Sequence, residues 1–427
     1  MASEAYLAFE QADEAVALHA GAELERQGWR VARASAELYA EENRTALIQA
    51  ISQASVFVLV ASPAAAESAA LKRDVAIALN NGRSLVVVRA ADLPAGSWIE
   101  STLDLNHAID MRAGVNAEPE TLSALSQAAR GARGQGTVLA MLNIKGGVGK
   151  TVLAANLFAA AHLADKRSIS FIDLDPQHNL TQYFLSPGER HRVRDRNHTL
   201  YGVLNPRGDH ALSAADFGAI AVPLNRAKPG KGKAPHFELV AGDERLFEFT
   251  LDTRSDRDKA EAFMRFRALV AALRQRSDAV VIDSNPCATF LTRLAITSAD
   301  HIIAPVRPEK YSLTGLNMLE HVVREVRGRP LRPAEFSVLL NGVNDRTRSG
   351  ETGDADALTR AEISGAPFFG SALLPEEVPY SAVLRSAPSD RFAANPINVT
   401  AMMRVGGRPA KEALTRAAAA LLRRSAP

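Results

Sequence analysis

The chain has 427 residues, more than one hydrophobic core usually holds, so its length predicts two or three domains. Its 47% hydrophobic and 23% charged residues are typical of globular proteins, and no apolar run reaches the roughly 18–20 residues of a transmembrane helix. The net charge of +2 conceals a split, because residues 1–113 carry 9 basic and 15 acidic side chains and the remainder carries 41 and 33. This split indicates either two domains with different partners, the basic one binding a polyanion, or two ordinary solvated surfaces.

The sequence lacks the marks of a secreted protein. Its first residues are acidic where a secretion signal has basic residues followed by an apolar stretch. The single cysteine, Cys287, has no partner for an internal disulfide, and no cluster of Cys and His residues suggests zinc. We therefore expect a cytoplasmic protein that does not bind a membrane.

Strand and helix signals alternate over the first 113 residues. The strand signals lie at residues 5–10, 29–34, 55–61, 84–89 and 107–111, and the helix signals at 14–26, 44–53 and 72–80. The alternation predicts an α/β domain at residues 1–113 with a parallel sheet covered on both faces. Residues 114–136 combine a polar helix at 119–130 with the run GARGQG, which predicts a helical, glycine-rich linker.

From residue 137 the alternation resumes and predicts a second α/β domain over residues 137–427. The strand signals lie at 138–143, 169–175, 279–283, 301–306 and 336–341, and a long apolar helix is predicted at 152–163. Residues 227–236 are basic and rich in glycine and proline, which is typical of a loop. The spacing favours a mostly parallel sheet.

The run KGGVGKT at residues 145–151 lies between a predicted buried strand and a predicted helix. Gly146, Gly147 and Gly149 allow the backbone to turn its N–H groups toward an anion, and the helix adds its positive N-terminal end. Lys150 can reach the phosphates of a nucleotide, and the hydroxyl of Thr151 suits a Mg²⁺ ligand. A turn without function is the alternative, but the full string in this context predicts a nucleotide site.

Three aspartates follow or end predicted strands. Asp283 ends AVVID, at the sheet edge where Mg²⁺ would lie beside a bound nucleotide. Asp173 and Asp175 in FIDLDPQ are two residues apart and would share one face of a strand. A carboxylate there can orient water for in-line attack or hold the water shell of a metal ion. The alternative for each aspartate is capping of a strand end.

Lys145 opens the glycine run although one subunit does not need a second lysine to hold phosphate. Such a lysine can reach across a two-fold axis and neutralise charge on the nucleotide of a partner, as an arginine finger does. The alternative is a lysine on a solvent-facing loop.

Several segments together resemble the ParA/Soj/MinD family of deviant-Walker ATPases, and the ParA branch in particular. These segments are KGGVGKT, FIDLDPQHNLT, VVIDSNP, HTLYGVL at 198–204, ADHIIAPVRPEKYSLTGL at 299–316 and VLLNGVND at 338–345. The resemblance implies a P-loop NTPase fold that binds ATP and Mg²⁺ and hydrolyses ATP as a homodimer. In that branch the ATP-bound dimer binds DNA without sequence preference, and a partner protein stimulates hydrolysis and release, a cycle that positions DNA or protein cargo.

The resemblance also assigns roles to residues of this chain. Lys145 would act across the dimer and Asp175 would position the attacking water. The remaining assignments are phosphate binding by Gly146, Gly147, Val148, Gly149, Lys150, Thr151 and Val152, metal binding by Thr151, Asp173 and Asp283, and adenine contact by Asn341 and Pro375. Val152, His178 and Asn285 depart from the family pattern, but none of these departures removes a side chain with an assigned chemical role, so ATP hydrolysis remains the prediction.

The first domain resembles a TIR domain. The resemblance is carried by AYLAFEQADEAVALHAGAELERQGWRV, ISQASVFVLVASPAAAES and LKRDVAIALNNGRSLVVV, and it implies a flavodoxin-type fold that binds a protein partner. TIR domains that cleave NAD carry a glutamate where Asp74 stands here. We therefore expect an interaction module, with an immune-type effector that hydrolyses NAD as the alternative function.

Basic residues of the second domain are spread along the sequence and could build a DNA-binding face on a dimer. The candidates are Arg324, Arg327, Arg329, Arg332, Arg346, Arg348, Arg385, Arg404 and Arg408. The last predicted helix, 410–424, has an alanine-rich apolar face, which favours packing against the ATPase sheet over binding to a membrane.

Overall fold

The computed structural model describes residues 4–33, 44–80, 83–103, 105, 108–131, 136–205, 212, 216–224, 235–251, 254–343, 353–381, 384 and 408–425. The chain divides into two compact units. The first unit combines residues 1–135 with two segments from later in the chain, 203–219 and 256–275. The second unit contains residues 136–202, 220–255 and 276–427.

The first unit is built on a sheet of five parallel strands in the order β2-β1-β3-β4-β5. The strands are β1 (Glu4–Ala8), β2 (Arg30–Arg33), β3 (Val56–Ala61), β4 (Ser84–Arg89) and β5 (Ile109–Asp110). Every residue of the central strand β3 is buried, which explains its uninterrupted apolar sequence VFVLVA. The strand order is that of the flavodoxin-type fold and confirms the predicted architecture.

Helices cover both faces of this first sheet. They are α1 (Glu14–Arg26), α2 (Arg44–Gln53), α3 (Pro63–Glu67), α4 (Ala69–Asn80), α5 (Trp98–Thr102) and α6 (Pro119–Gly131). One face carries α1 and α6, while α2, α4 and α5 pack on the other. Alternate residues of each strand therefore enter two separate apolar cores.

The described residues of the second unit form eight strands in the order β13-β12-β11-β6-β10-β7-β9-β8, all parallel except the β8–β9 pair. Their bounds are β6 (Thr137–Met141), β7 (Ile169–Asp173), β8 (Val222–Pro223), β9 (Phe237–Val240), β10 (Ala279–Asp283), β11 (His301–Val306), β12 (Phe336–Val343) and β13 (Val378–Pro379). The strand β6 lies between β10 and β11. The connection from β6 leads to β7 on one side of it, and the connection from β10 leads to β11 on the other side. In parallel α/β sheets a crevice opens at the carboxyl ends of such strands.

The helices that follow are α7 (Lys150–Asp165), α8 (Asn179–Phe184), α9 (Pro187–Asp195), α10 (Leu200–Leu204), α11 (Asp256–Arg274), α12 (Phe290–Ser298), α13 (Ser312–Arg327), α14 (Gly353–Gly365), α15 (Pro367–Ala372) and α16 (Arg408–Arg424). Leu414, Ala417, Ala418 and Leu421 of α16 are buried in one core with α7 and the sheet, which confirms the predicted packing of the last helix. In the part of the chain that the structure describes, no helix is long and apolar enough to span a membrane.

Two helices of the first unit lie outside the predicted bounds of residues 1–113. The sequence assigns 119–130 to a linker, but Leu122 and Leu125 of α6 are buried in the core of the first unit. The helix α11 lies within the sequence of the second domain, yet it packs on α4 and α5 and places Met264 in the first unit's other core. The first unit is thus discontinuous in sequence. The basic loop predicted at 227–236 lies largely outside the described residues.

Arg265 holds α11 in the first unit. Its side chain is 1% exposed, and its guanidinium donates hydrogen bonds to the carbonyl oxygens of Val203 at 2.6 Å, Leu212 at 2.5 Å and Ser101. The same group lies 4.9 Å from the ring centroid of Phe217. Burial lowers the pKa of Arg265 to about 10, and the negative charge of Glu261 opposes this shift.

Candidate nucleotide-binding site

The glycine run forms a tight loop between β6 and α7. Gly147 and Gly149 have φ angles of +73° and +92°, in the left-handed region that favours glycine. A Cβ atom at Gly149 would also lie 2.6 Å from the side-chain nitrogen of Asn341. The helix α7 begins at Lys150, so its free N–H groups face the crevice and can bind an anion.

Lys150 lies at the bottom of this loop and is buried. Its ammonium group donates to the carbonyl oxygens of Asn143 at 3.1 Å and of Lys145 at 3.4 Å. Burial lowers the pKa of Lys150, whereas the carboxylates of Asp283 and Asp175 oppose this shift. The cation is therefore held close to the loop by carbonyl groups that phosphate oxygens can replace as its partners.

Asp283 and Asp173 end neighbouring strands and lie side by side in register. Neither carboxylate oxygen of Asp283 accepts a hydrogen bond of good geometry, and the side chain is fully buried. Burial and the nearby Asp173 raise the pKa of Asp283 well above its usual range, while the hydroxyl of Thr151 and the charge of Lys150 lower it. A cation beside this buried carboxylate would compensate its negative charge, and together with Thr151 the carboxylate fits a Mg²⁺ ion.

The carboxylate of Asp173 accepts hydrogen bonds from the start of α8 and does not face an open site. The backbone N–H and the hydroxyl of Thr181 both donate to its Oδ2 atom at 2.7 Å. Burial raises the pKa of Asp173 to about 6, and these hydrogen bonds oppose the shift. Asp175, two residues on, lines the crevice, and its Oδ1 atom accepts a hydrogen bond from the N–H of Gln177 at 2.9 Å.

The crevice is a cavity of about 700 Å³ with three walls. The first wall is the loop and the start of α7, from Gly146 and Gly147 to Leu153, including Gly149, Lys150, Thr151 and Val152. The second runs from Asp175 through α8 to Arg190, and the third contains Arg307, Asn341, Gly342, Pro379, Tyr380 and Ser381. Val148 is buried and contributes its carbonyl oxygen, which accepts a hydrogen bond from Asn341 at 2.8 Å.

Pro375, which the family resemblance places at the adenine, does not line this cavity. It is exposed in the turn between α15 and β13. Pro379, Tyr380 and Ser381 line the cavity instead, because β13 pairs with β12 immediately beside Asn341. Sequence patterns gave no signal for these three residues, since a two-residue strand has no recognisable periodicity.

Lys145 does not line the cavity and is bound within its own chain. Its ammonium group lies 2.5 Å from a carboxylate oxygen of Glu309, and the side chain is 40% exposed. The backbone N–H of Lys145 donates to the side chain of Asn143 at 2.9 Å. An exposed ion pair of this kind is weak and can exchange for another anion.

Asp74 of the first unit has no exposed surface. It lies close to Tyr6, whose phenol pKa is raised by burial and by the charge of Asp74. A carboxylate enclosed in this core has no contact with solvent through which to meet a ribose, so the position offers no support for NAD cleavage.

Three of the arginines proposed for DNA binding converge on one carboxylate. Arg327 and Arg329 bind Glu335 at 3.1 and 2.9 Å, and Arg332 binds its other oxygen. Arg327 is almost fully buried, so it cannot belong to a phosphate-binding surface, whereas Arg324, Arg329 and Arg332 remain exposed. The candidates Arg346, Arg348, Arg385 and Arg404 lie outside the described residues, as does the side chain of Arg408.

Comparison with known proteins assigns both segments of the chain. Residues 6–126 match the family model described as TIR domain, and residues 136–334 match the one described as AAA domain. The chromosome partitioning protein ParA of Caulobacter vibrioides is 29% identical over 253 residues, which cover 56% of this chain and 86% of that protein. The sporulation initiation inhibitor protein Soj of Bacillus subtilis is 29% identical over 197 residues, or 45% of this chain and 66% of that protein.

A plasmid partition protein of Borrelia burgdorferi B31, solved with AMPPNP bound, aligns with a TM-score of 0.43 and 17% identity. The alignment covers 63% of this chain and 98% of that one. The two family matches and the sequence relatives agree with the motifs around the cavity. The chain therefore carries a match to the TIR domain family followed by a match to the AAA domain family, and its second segment is similar in sequence to ParA and Soj.

Proposed function

We propose that the protein binds ATP with Mg²⁺ in the cavity of its second unit and hydrolyses it. The observation that carries this proposal is the carboxylate of Asp283, which is fully buried, accepts no hydrogen bond of good geometry, and lies beside Thr151 and Lys150 at the start of α7. A fully buried carboxylate is unfavourable unless a cation compensates its charge or it takes up a proton, and a bound cation would let Asp283 ionise.

Each residue of the site has a task in this proposal. The N–H groups of the loop and Lys150 bind the phosphates, and Asp175 orients the attacking water. Thr151 would hold Mg²⁺, and Asp283 would supply negative charge behind it, while Asp173 fixes α8 through Thr181. Mg²⁺ bound there would neutralise the charge that develops on the phosphate oxygens.

The position of Lys145 supports the proposal that the protein dimerises on binding ATP. The lysine precedes the loop and lies outside the cavity of its own subunit, bound to Glu309. In a two-fold dimer it would leave Glu309 and neutralise charge on the nucleotide of the partner subunit.

The cellular role we propose is ATP-dependent binding to DNA without sequence preference, which places the protein on the nucleoid and positions a DNA or protein cargo. The names of the sequence relatives, a chromosome partitioning protein and Soj, support this role. The exposed Arg324, Arg329 and Arg332 are candidates for phosphate contact. The TIR-like domain, whose residues 1–113 are acidic, would dock a protein partner that stimulates hydrolysis.

The proposal is tested by measuring the mass of the full chain and its retention on an arbitrary DNA duplex, with ATP and with ADP. We expect a dimer and DNA binding only with ATP, and an affinity that falls steeply as salt increases. Lys150→Ala serves as the matched variant that cannot hold phosphate. Equal DNA binding with ATP, ADP or no nucleotide would show that the switch we propose does not exist.

A further inference from the structure

Two arginines in the walls of the nucleotide cavity have no acidic partner among the described residues. Arg307 and Arg190 both line the cavity, and the Nε atom of each is buried without a hydrogen-bond partner. By contrast, Arg245 of the same unit binds Asp243 at 2.7 Å. A cation that is partly withdrawn from water and unpaired is unfavourable, so these two groups indicate an anionic ligand.

Arg307 stands where β12 meets the phosphate loop. It follows the last residue of β11, and the parallel pairing of β11 with β12 places it beside Asn341 and Gly342. A Cβ atom at Gly342 would lie 4.0 Å from Arg307 Nε. Asn341 in turn donates to the carbonyl oxygen of Val148 in the loop at 2.8 Å. Strand pairing thus fixes the backbone of Arg307 next to the residues that shape the loop.

Arg190 approaches from the second wall. It lies in the first turn of α9, which a capping box between Ser186 and Glu189 stabilises. Pro187, at the start of the same helix, also lines the cavity. A well-capped helix start restricts the directions in which the long side chain can extend.

The charges of the cavity lining are unequal. Three cationic side chains, Lys150, Arg190 and Arg307, face one carboxylate, Asp175. Guanidinium groups bind phosphate oxygens through two parallel N–H donors, which makes arginine well suited to a polyphosphate. We propose that Arg307 and Arg190 bind the phosphate chain of the nucleotide in addition to the glycine loop and Lys150. This inference rests on the proposed function, since ATP is the polyphosphate concerned.

The test is isothermal titration calorimetry of the full chain with ATP and, separately, with adenosine, which lacks the phosphates. We expect Arg307→Ala and Arg190→Ala each to weaken ATP binding about tenfold or more, since a charge-assisted hydrogen bond is lost. Adenosine binding should change less than about twofold, and Arg307→Lys should recover part of the ATP affinity. Arg416→Ala, at an exposed position of α16 outside the cavity, is the matched control. Circular dichroism of each variant checks the fold.

ATP affinities within about twofold of the unmodified chain for both alanine variants would overturn the inference and leave the proposed function standing. Equal losses for ATP and adenosine would also overturn it, because the arginines would then contact the base or the ribose. Failure of the unmodified chain to bind ATP would overturn the proposed function and this inference together.

Discussion

Asp283 and Asp173 end adjacent strands, yet their carboxylates have different surroundings. Thr181 donates two hydrogen bonds to Asp173, whereas the oxygens of Asp283 accept none of good geometry. Both groups are fully buried, and both have a raised pKa, about 6 for Asp173. Burial of these two carboxylates therefore has an electrostatic cost, which a bound metal ion would reduce.

This cost gives the stability a defined pH dependence. An acid whose pKa is higher in the folded state keeps its proton there while the unfolded chain ionises, so stability falls as pH rises from about 4 through the folded pKa. Each pKa unit corresponds to about 1.4 kcal/mol. We expect the free energy of unfolding in EDTA to fall from about pH 4 to pH 6 and above, and less steeply in Asp283→Asn.

Urea unfolding at each pH measures this effect, with the exposed Asp165→Asn as the control. Addition of Mg²⁺ and ATP at neutral pH should restore stability in the unmodified chain more than in Asp283→Asn. Parallel pH profiles for Asp283→Asn and the unmodified chain would mean that Asp283 is not the strained group.

Lys145 forms an exposed ion pair with Glu309 of the same chain. If Lys145 acts across the dimer, breaking this pair is part of the cost of dimerisation, and an exposed pair is worth at most ~1 kcal/mol. Glu309→Gln should therefore lower the dimer dissociation constant with ATP by up to about fivefold. Analytical ultracentrifugation measures the constant, with Glu325→Gln on α13 as the control. A weaker dimer in Glu309→Gln would indicate that Glu309 supports the interface instead.

Among the secondary-structure elements, α11 is the one whose place in the fold differs most from its place in the sequence. It lies between two strands of the second unit in the chain, yet its apolar face and Arg265 are buried in the first unit. Periodicity can show that a helix has a buried face, but it does not say which sheet the face covers. The same limit applies to α6, which the sequence assigned to a linker.

Arg265→Met should destabilise the first unit by about 2–4 kcal/mol, because three carbonyl groups, two of them in fully buried hydrogen bonds, lose their donor. The two tryptophans of the chain, Trp29 and Trp98, both lie in this unit, so tryptophan fluorescence in urea reports its unfolding. Arg257→Met, an exposed position on the same helix, is the control. Equal unfolding midpoints for the two variants would contradict the role of Arg265.

The sequence predicted the elements that carry local signals. The glycine loop, the start of α7 and the aspartates at strand ends depend on spacing within a few residues, and the structure places them around one crevice. The sequence did not predict that the cavity is also lined by Arg307, Arg190 and Tyr380. Strand pairing and helix packing bring these residues to the cavity from distant parts of the chain. Pro375 shows a limit of the family resemblance. The resemblance assigns Pro375 to the adenine, whereas Tyr380, five residues further along the chain, lines the cavity.

The candidate functional residues of the whole molecule are distributed unequally between its two units. Every residue that lines the cavity belongs to the second unit, and so do the exposed arginines proposed to contact DNA. The first unit has a buried Asp74 and an acidic sequence over residues 1–113, which favour a docking role over catalysis. In the function that we propose, the nucleotide state of the second unit would control assembly and DNA binding, and the first unit would select the partner protein.

Hydrolysis of ATP in this cavity is tested by measuring release of phosphate from ATP by the full chain, with DNA present and with Mg²⁺ or EDTA. We expect Mg²⁺-dependent hydrolysis that falls at least about 100-fold in Lys150→Ala and in Asp175→Ala, while Asp165→Ala keeps the rate of the unmodified chain. Hydrolysis at an undiminished rate in either of the first two variants would contradict the assignment of this cavity as the catalytic site.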